Sequence, residues 1–294
     1  MLNQLKNNIS NKLFRYNYKK AKQAFDKAIP FRNYLPESEF EKFVQQYSNV
    51  AAGPRQDYSL AGMEALALER FQYIANKINF KPASALEIGP GAGFVLKKFK
   101  ENGINKAVAL DIVDSLYPEV KKAGVEIVLS SADNMACIPD KSYDLIVSWS
   151  ALEHIPNPRM VYDECLRILK PGGYLYLHFG PLYYSPWGYH HYSVLNCPYL
   201  HLLFPEQLIH NHARKIKGED YKGYLPWTNG CDLDEYQFLK KGLSYEYILE
   251  SYNSGYDMYS VSMISRYPEI FKSKNVSFES FFVDWIQVGI IRKP

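Results

Sequence analysis

The sequence predicts an α/β fold: a parallel sheet with helices on both faces, preceded by helices and interrupted by an insertion. Three observations carry this. Short apolar runs alternate with helical stretches between Ser84 and Phe179, as strand–helix–strand units do. A glycine-rich turn, Gly89-Pro90-Gly91-Ala92-Gly93, follows the first run directly. A long apolar run, Phe281 to Ile291, comes near the end of the chain.

The first 80 residues read as helical. Leu2, Leu5, Ile9, Leu13 and Tyr16 recur at helical spacing, and so do Phe14, Tyr18, Ala21, Phe25 and Ile29. Pro36-Glu37-Ser38-Glu39 opens a second helix, and Met63 to Ile78 forms a third. The strands follow at Ser84–Ile88, Ala107–Leu110, Val125–Leu129, Leu145–Trp149 and Tyr174–Phe179. Helices lie between them: one from Gly91, a short one near Tyr117–Lys122, and one from Pro158 to Leu169. Asn157-Pro158 predicts a helix start, an Asn cap with proline at the first helical position. Lys170-Pro171-Gly172-Gly173 stops that helix. From Gly180 to about Tyr256 the rhythm is lost and tyrosines and tryptophans crowd the chain. It returns with a helix near Tyr245–Tyr252, a strand near Met258–Ile264 and the last strand. The expected division is therefore a helical arm and cap over 1–80, and an α/β domain over 81–294 with an insertion at 180–256.

The chain has 294 residues, 47% of them hydrophobic, enough for one large domain with an insertion. No apolar run approaches the roughly 20 residues that span a bilayer, and the N-terminus lacks a signal peptide's apolar core. Cys137, Cys165, Cys197 and Cys231 form no CxxC pair, which predicts reduced thiols in a cytoplasmic protein. Net charge is +3, unevenly placed: residues 1–32 carry an excess of seven positive charges, and the remainder is net acidic by four. Such an arm meets nucleic acid, an anionic membrane or an acidic substrate, or is the solvated face of a helix.

The glycines narrow the ligand. A dinucleotide turn reads G-x-G-x-x-G; here Gly89, Gly91 and Gly93 give G-x-G-x-G, with Phe94 at the third dinucleotide position. No Gly-Lys-Ser/Thr follows, so a P-loop is excluded too. The spacing suits a ligand lying against the turn without a pyrophosphate. Asp111 ends the second apolar run, where a carboxylate accepts from two ribose hydroxyls. Ser131-Ala132-Asp133-Asn134-Met135 follows the third run; Asp133 there accepts from an adenine amino group, and Met135 covers the ring.

With these residues the sequence resembles the class I S-adenosylmethionine-dependent methyltransferases, in their small-molecule, type 11-like form. "ALEIGPGAG", "VALD", "SADNM", "YDLIVSWSALEHIPNP" and "RILKPGGYLYL" resemble five of the family's motifs in order, over about Ala83 to Phe179. The resemblance implies a Rossmann-like seven-stranded sheet of order 3-2-1-4-5-7-6 with strand 7 antiparallel. Residues 180–256 become a lid between strands 5 and 6, at the sheet edge where such folds bind ligands. It implies S-adenosyl-L-methionine as methyl donor and not NAD. Glu87 would sit near the donor's amino group, and Ile112, Asn134, Ser148 and Trp149 complete the donor set with Gly89, Gly91, Gly93, Asp111, Asp133 and Met135.

Methyl transfer to a hydroxyl needs a proton removed, which a neutral histidine does well. His154, just past the fourth strand, is the first candidate, either as base or as loop organiser; in the similar phosphoethanolamine methyltransferases a histidine at the matching place helps remove a proton. His191 and then His178 are in reserve. Tyr183, Tyr184, Trp187 and His190 are the expected acceptor contacts, although most rings of the insertion are expected to build its own core. Adjacent histidines in an extended segment point opposite ways, so His190 and His191 predict no metal site. Ser148-Trp149-Ser150-Ala151 stands where amino-methyltransferases of nucleic acids carry Asn/Asp-Pro-Pro-Tyr/Phe. The expectation is a methyltransferase for a small hydroxylated acceptor, first a saccharide or glycosylated intermediate, then a quinone or phenol. A donor-binding module without catalysis and an RNA methyltransferase using the basic arm are the rival classes.

Overall fold

A computed structural model describes residues 2–48, 57–190, 194–218, 228–240, 245–254 and 258–292. In chain order the regular elements are α1 (Leu2–Lys27), α2 (Phe40–Tyr47), α3 (Leu60–Ala75), β1 (Ser84–Ile88), α4 (Phe94–Glu101), β2 (Lys106–Asp111), α5 (Pro118–Lys122), β3 (Glu126–Leu129), β4 (Tyr143–Trp149), α6 (Pro158–Ile168), β5 (Leu169–Phe179), α7 (Leu200–Leu203), α8 (Glu206–Lys217), β6 (Tyr245–Ser254), α9 (Met258–Arg266), α10 (Pro268–Lys272) and β7 (Val283–Arg292).

These elements fall into two compact units. One, comprising 55–180, 235–252 and 285–294, holds most of the sheet. The strand order is β3-β2-β1-β4-β5-β7-β6. Six strands are followed residue by residue: β1 lies parallel between β2 and β4, β3 is parallel to β2, β5 is parallel to β4, and β7 runs antiparallel to β5. Every residue of β1 is buried, Ser84 and Glu87 included, as a strand covered on both faces must be. Ala85, Leu145 and Val147 pack with Leu96 and Phe99 of α4 and with Ala67 and Ile74 of α3. Ser59 caps α3, its hydroxyl accepting from the Gly62 N–H at 3.1 Å.

The second unit is assembled from 1–54, 181–234 and 253–284. Phe14, Tyr18, Ala21 and Phe25 of α1 meet Phe278, Phe281 and Phe282. Tyr183 and Tyr184 pack against this core with rings edge to face at 5.0 Å. Tyr199, fully buried, donates to the Phe281 carbonyl at 2.6 Å.

Several local expectations are corrected. The segment near Tyr245–Tyr252 is the strand β6, at one edge of the sheet, its tyrosines and aliphatic residues suiting a strand. Met258–Arg266 is a helix: its buried residues fall at 260, 261, 263, 264 and 267, the 3.6-residue period. Asn157 does not cap α6 with its side chain; its amide donates instead to Asp133 Oδ2 at 3.1 Å. Lys170-Pro171-Gly172-Gly173 lies inside β5 as an irregularity in its pairing with β4. Of the two units, the first includes α3 with the sheet, and the second groups 253–284 with α1 and α2.

Candidate functional site

The glycine turn converts β1 into α4, and each glycine has its own reason. Gly89, Gly91 and Gly93 all have positive φ, of 64°, 53° and 82°, which only glycine adopts without cost. A Cβ on Gly89 would fall 2.6 Å from Ala151 Cβ, and one on Gly93 2.5 Å from Leu116 Cδ2. Around Gly91 nothing lies within 4 Å of that position, so packing does not demand it. Gly91 faces a cavity of about 210 Å³ lined by the turn, by Trp149 and Ser150 after β4, and by Tyr58, Met63, Leu66 and Arg70.

Below the turn, Glu87 is buried to 2% exposure, with Oε2 lacking a hydrogen-bond partner. Burial pushes its carboxyl up to about 8, while the Arg70 guanidinium works against the rise. Arg70 also lies over the Trp149 ring, 5.1 Å from its centre. Sequence reading missed Arg70 and Tyr58. The only signal was position: α3 runs directly into β1, so one of its faces had to meet the turn.

At the end of β2, Asp111 Oδ1 accepts from the main-chain N–H groups of Ile112 at 2.7 Å and Val113 at 3.2 Å. This fixes the carboxylate's direction. Ile112 is 74% exposed beside it, an open apolar surface. Asp133 accepts from Ser131 Oγ and the Asn157 amide, which hold its carboxyl below the usual range, the Ser131 contact foremost. It lines a second hollow of about 620 Å³ with the exposed Asn134, Asn157 and Met160.

Two donor residues expected from sequence are corrected. Met135 is fully buried and its N–H donates to Glu164 Oε2 at 2.8 Å, so its side chain offers no face to an adenine ring. Ser148 is fully buried too, its hydroxyl donating across the sheet to the Ile88 carbonyl at 3.1 Å. An alternating strand sends Trp149 the other way, into the cavity.

The histidines separate. His154 closes the turn Leu152–His154 after β4, part-exposed, with Nε2 3.9 Å from Oε1 of Glu153. Glu153 is buried to 1% and was not anticipated as a functional group. Burial pushes its carboxyl up to about 8 against main-chain hydrogen bonds at Glu153 and Gly180. His178 stacks on Trp285 at 5.0 Å; burial, helped by Arg70, pulls its imidazole down to about 4. His191 lies outside the described residues. In the other unit His190 has φ 58°, and its Nε2 bonds the Pro181 carbonyl at 2.8 Å. Trp187 is buried at 9% exposure.

Residues 86–177, from β1 to nearly the end of β5, match the family described as "Methyltransferase domain". The chain carries a class I S-adenosylmethionine-dependent methyltransferase domain. The chain is 25% identical over 220 residues to a ubiquinone biosynthesis O-methyltransferase of Xanthomonas oryzae pv. oryzae strain PXO99A, covering 67% of this chain and 88% of that one. To the enzyme of that name from Nitrosospira multiformis it is 26% identical over 194 residues, 64% and 77% of the two chains. Similar solved structures include the plantazolicin methyltransferase BamL with S-adenosylhomocysteine, at 14% identity, 97% and 99% coverage and a TM-score of 0.46. An S-adenosylmethionine-dependent methyltransferase from Mesorhizobium loti gives 13%, 76%, 96% and 0.42.

The residues in and beside the glycine turn fit the donor on their own chemistry. The unpartnered Glu87 oxygen suits an ammonium, the open space at Gly91 suits close approach, and Asp111 suits a ribose. The four cysteines are free thiols. No helix among the described residues is long and apolar enough to cross a membrane.

Proposed function

We propose that the methyltransferase methylates a hydroxyl of a small phenol or quinol. The similarity to O-methyltransferases of ubiquinone biosynthesis over two thirds of the chain carries this reading, and it moves the phenol ahead of the saccharide. The saccharide rests only on the crowding of tyrosine and tryptophan in 180–256.

S-adenosylmethionine, when bound, supplies a methyl group on a sulfonium. The chain's own residues do the rest. Asp111 accepts from the ribose hydroxyls, and Asp133 sits at the adenine end. Glu87 pairs with the ammonium and Arg70 with the carboxylate of the methionine moiety. His154 takes the acceptor's proton on a ring nitrogen as the oxygen–methyl bond forms and the sulfur–methyl bond breaks.

Transfer of a labelled methyl group to catechol, a dihydroxybenzoate and a methyl glycoside tests the acceptor: the phenols are expected to turn over and the glycoside not, and the reverse would refute the reading. His154→Ala is expected to lower turnover by roughly 10²–10⁴-fold and to remove the acidic limb of the pH–rate profile, with S-adenosylhomocysteine affinity unchanged. A variant that keeps both rate and limb makes His154 an organiser.

A further inference from the structure

Helix α1 carries two apolar stripes, and its unit uses one. Phe14, Tyr18, Ala21 and Phe25 enter the core, on the side packed against α9 and α10. The other stripe passes through Leu13 and Tyr16, 52% and 65% exposed, and the same spacing continues in the sequence back through Ile9, Leu5 and Leu2. Lys12, Arg15, Lys19 and Lys20 are all exposed around it. Lys12, Arg15 and Lys19 follow one another at helical intervals, in a line beside Leu13 and Tyr16. Just beyond the helix Ile29 and Phe31 are 80% and 73% exposed.

Carboxylates are kept off this face. α1 holds a single one, Asp26, which together with Glu279 pairs with Lys22. An ordinary solvated face has no need of a leucine and a tyrosine exposed one turn apart among cations. A nucleic-acid face would use the cations and leave the apolar residues idle. A surface that is anionic outside and apolar a few ångströms deeper uses both. We propose that the outer face of α1, through Leu13, Tyr16 and the cations beside them, docks on an anionic phospholipid surface, lying on it and not crossing it.

The test is flotation of the full chain with vesicles of phosphatidylcholine alone and of phosphatidylcholine with phosphatidylglycerol. The chain is expected to float with the anionic vesicles only, and to be released by salt. Lys12→Glu, Arg15→Glu and Lys19→Glu are expected each to cost at least about fivefold in partition. Leu13→Asp with Tyr16→Asp is expected to abolish flotation while leaving every cation in place. All variants should keep the S-adenosylhomocysteine affinity of the parent, since these side chains are exposed. Three results would overturn the proposal: equal flotation with both vesicles, or with neither; flotation that survives Leu13→Asp with Tyr16→Asp; or self-association without vesicles that this double variant abolishes, which would make the stripe a contact between copies. Retention of single-stranded RNA in place of vesicles, lost only in the cation variants, would overturn it in favour of nucleic acid.

Discussion

Replacing Arg70 by methionine keeps most of the side chain's apolar stem and removes its charge. In the structure that charge faces two groups: the buried carboxyl of Glu87, whose pKa it lowers, and the Trp149 ring at 5.1 Å. In the proposed function a third partner is the donor's carboxylate. A hydrogen bond to a charged group contributes about 1.5–3 kcal/mol, so the variant should bind S-adenosylhomocysteine some ten- to a hundredfold more weakly. Isothermal titration of two ligands isolates the cause. S-adenosylhomocysteine carries the amino-acid end; 5′-methylthioadenosine has the same nucleoside without it. Arg70→Met should weaken the first and leave the second unchanged. Equal weakening of both would mean that Arg70 only shapes the cavity, and unchanged binding of both would refute the assignment.

Two further outcomes concern stability. The carboxyl of Glu153 is raised by burial from 4.5 to about 8, so the unfolded chain releases this proton at lower pH than the folded one. Its burden on stability is absent below pH 4.5 and grows as pH rises toward 8; each unit corresponds to about 1.4 kcal/mol. Glu153→Gln should therefore match the parent in urea unfolding at pH 4 and exceed it increasingly up to pH 8, and a gain independent of pH would contradict the shift. Gly93→Ala adds a Cβ 2.5 Å from Leu116 Cδ2 at φ 82° and should cost roughly 2–5 kcal/mol from strain and overpacking together, whereas Gly91→Ala meets no neighbour and should cost only the backbone's roughly 1–2 kcal/mol while weakening the donor. Equal losses of stability in the two would undo the distinction between packing and cradling glycines.

The residues proposed for the donor could be named from sequence because they lie at strand ends and follow one another in the chain. Gly89, Gly91, Gly93 and Asp111 need only β1, β2 and the turn between them. Met135 and Ser148 misled for a local reason: neither the side to which a loop residue turns nor the phase of a strand is fixed by a motif's spelling, and both point into the fold. Arg70 and Glu153 were hidden because one depends on which face α3 presents and the other on burial, quantities set by tertiary packing. The exchange of helix and strand over Tyr245–Arg266 has a similar origin. Both segments mix aromatic, aliphatic and hydroxyl residues at a density where either period can be traced, and pairing within the whole sheet decides between them.

The packing of α1 also constrains how the chain is made. Phe25 meets Phe278 at 5.4 Å, and Lys22 meets Glu279, so α1 completes its packing only when a segment far along the chain is in place. Closure over that separation makes this unit slow to form. Throughout synthesis both stripes of α1 are exposed to chaperones and to other nascent chains. A chain ending before Phe278 would leave Phe25 and Lys22 of α1 without these contacts. Proteolysis of the N-terminal helix during translation, and its protection once release is complete, would report the order in which the molecule closes.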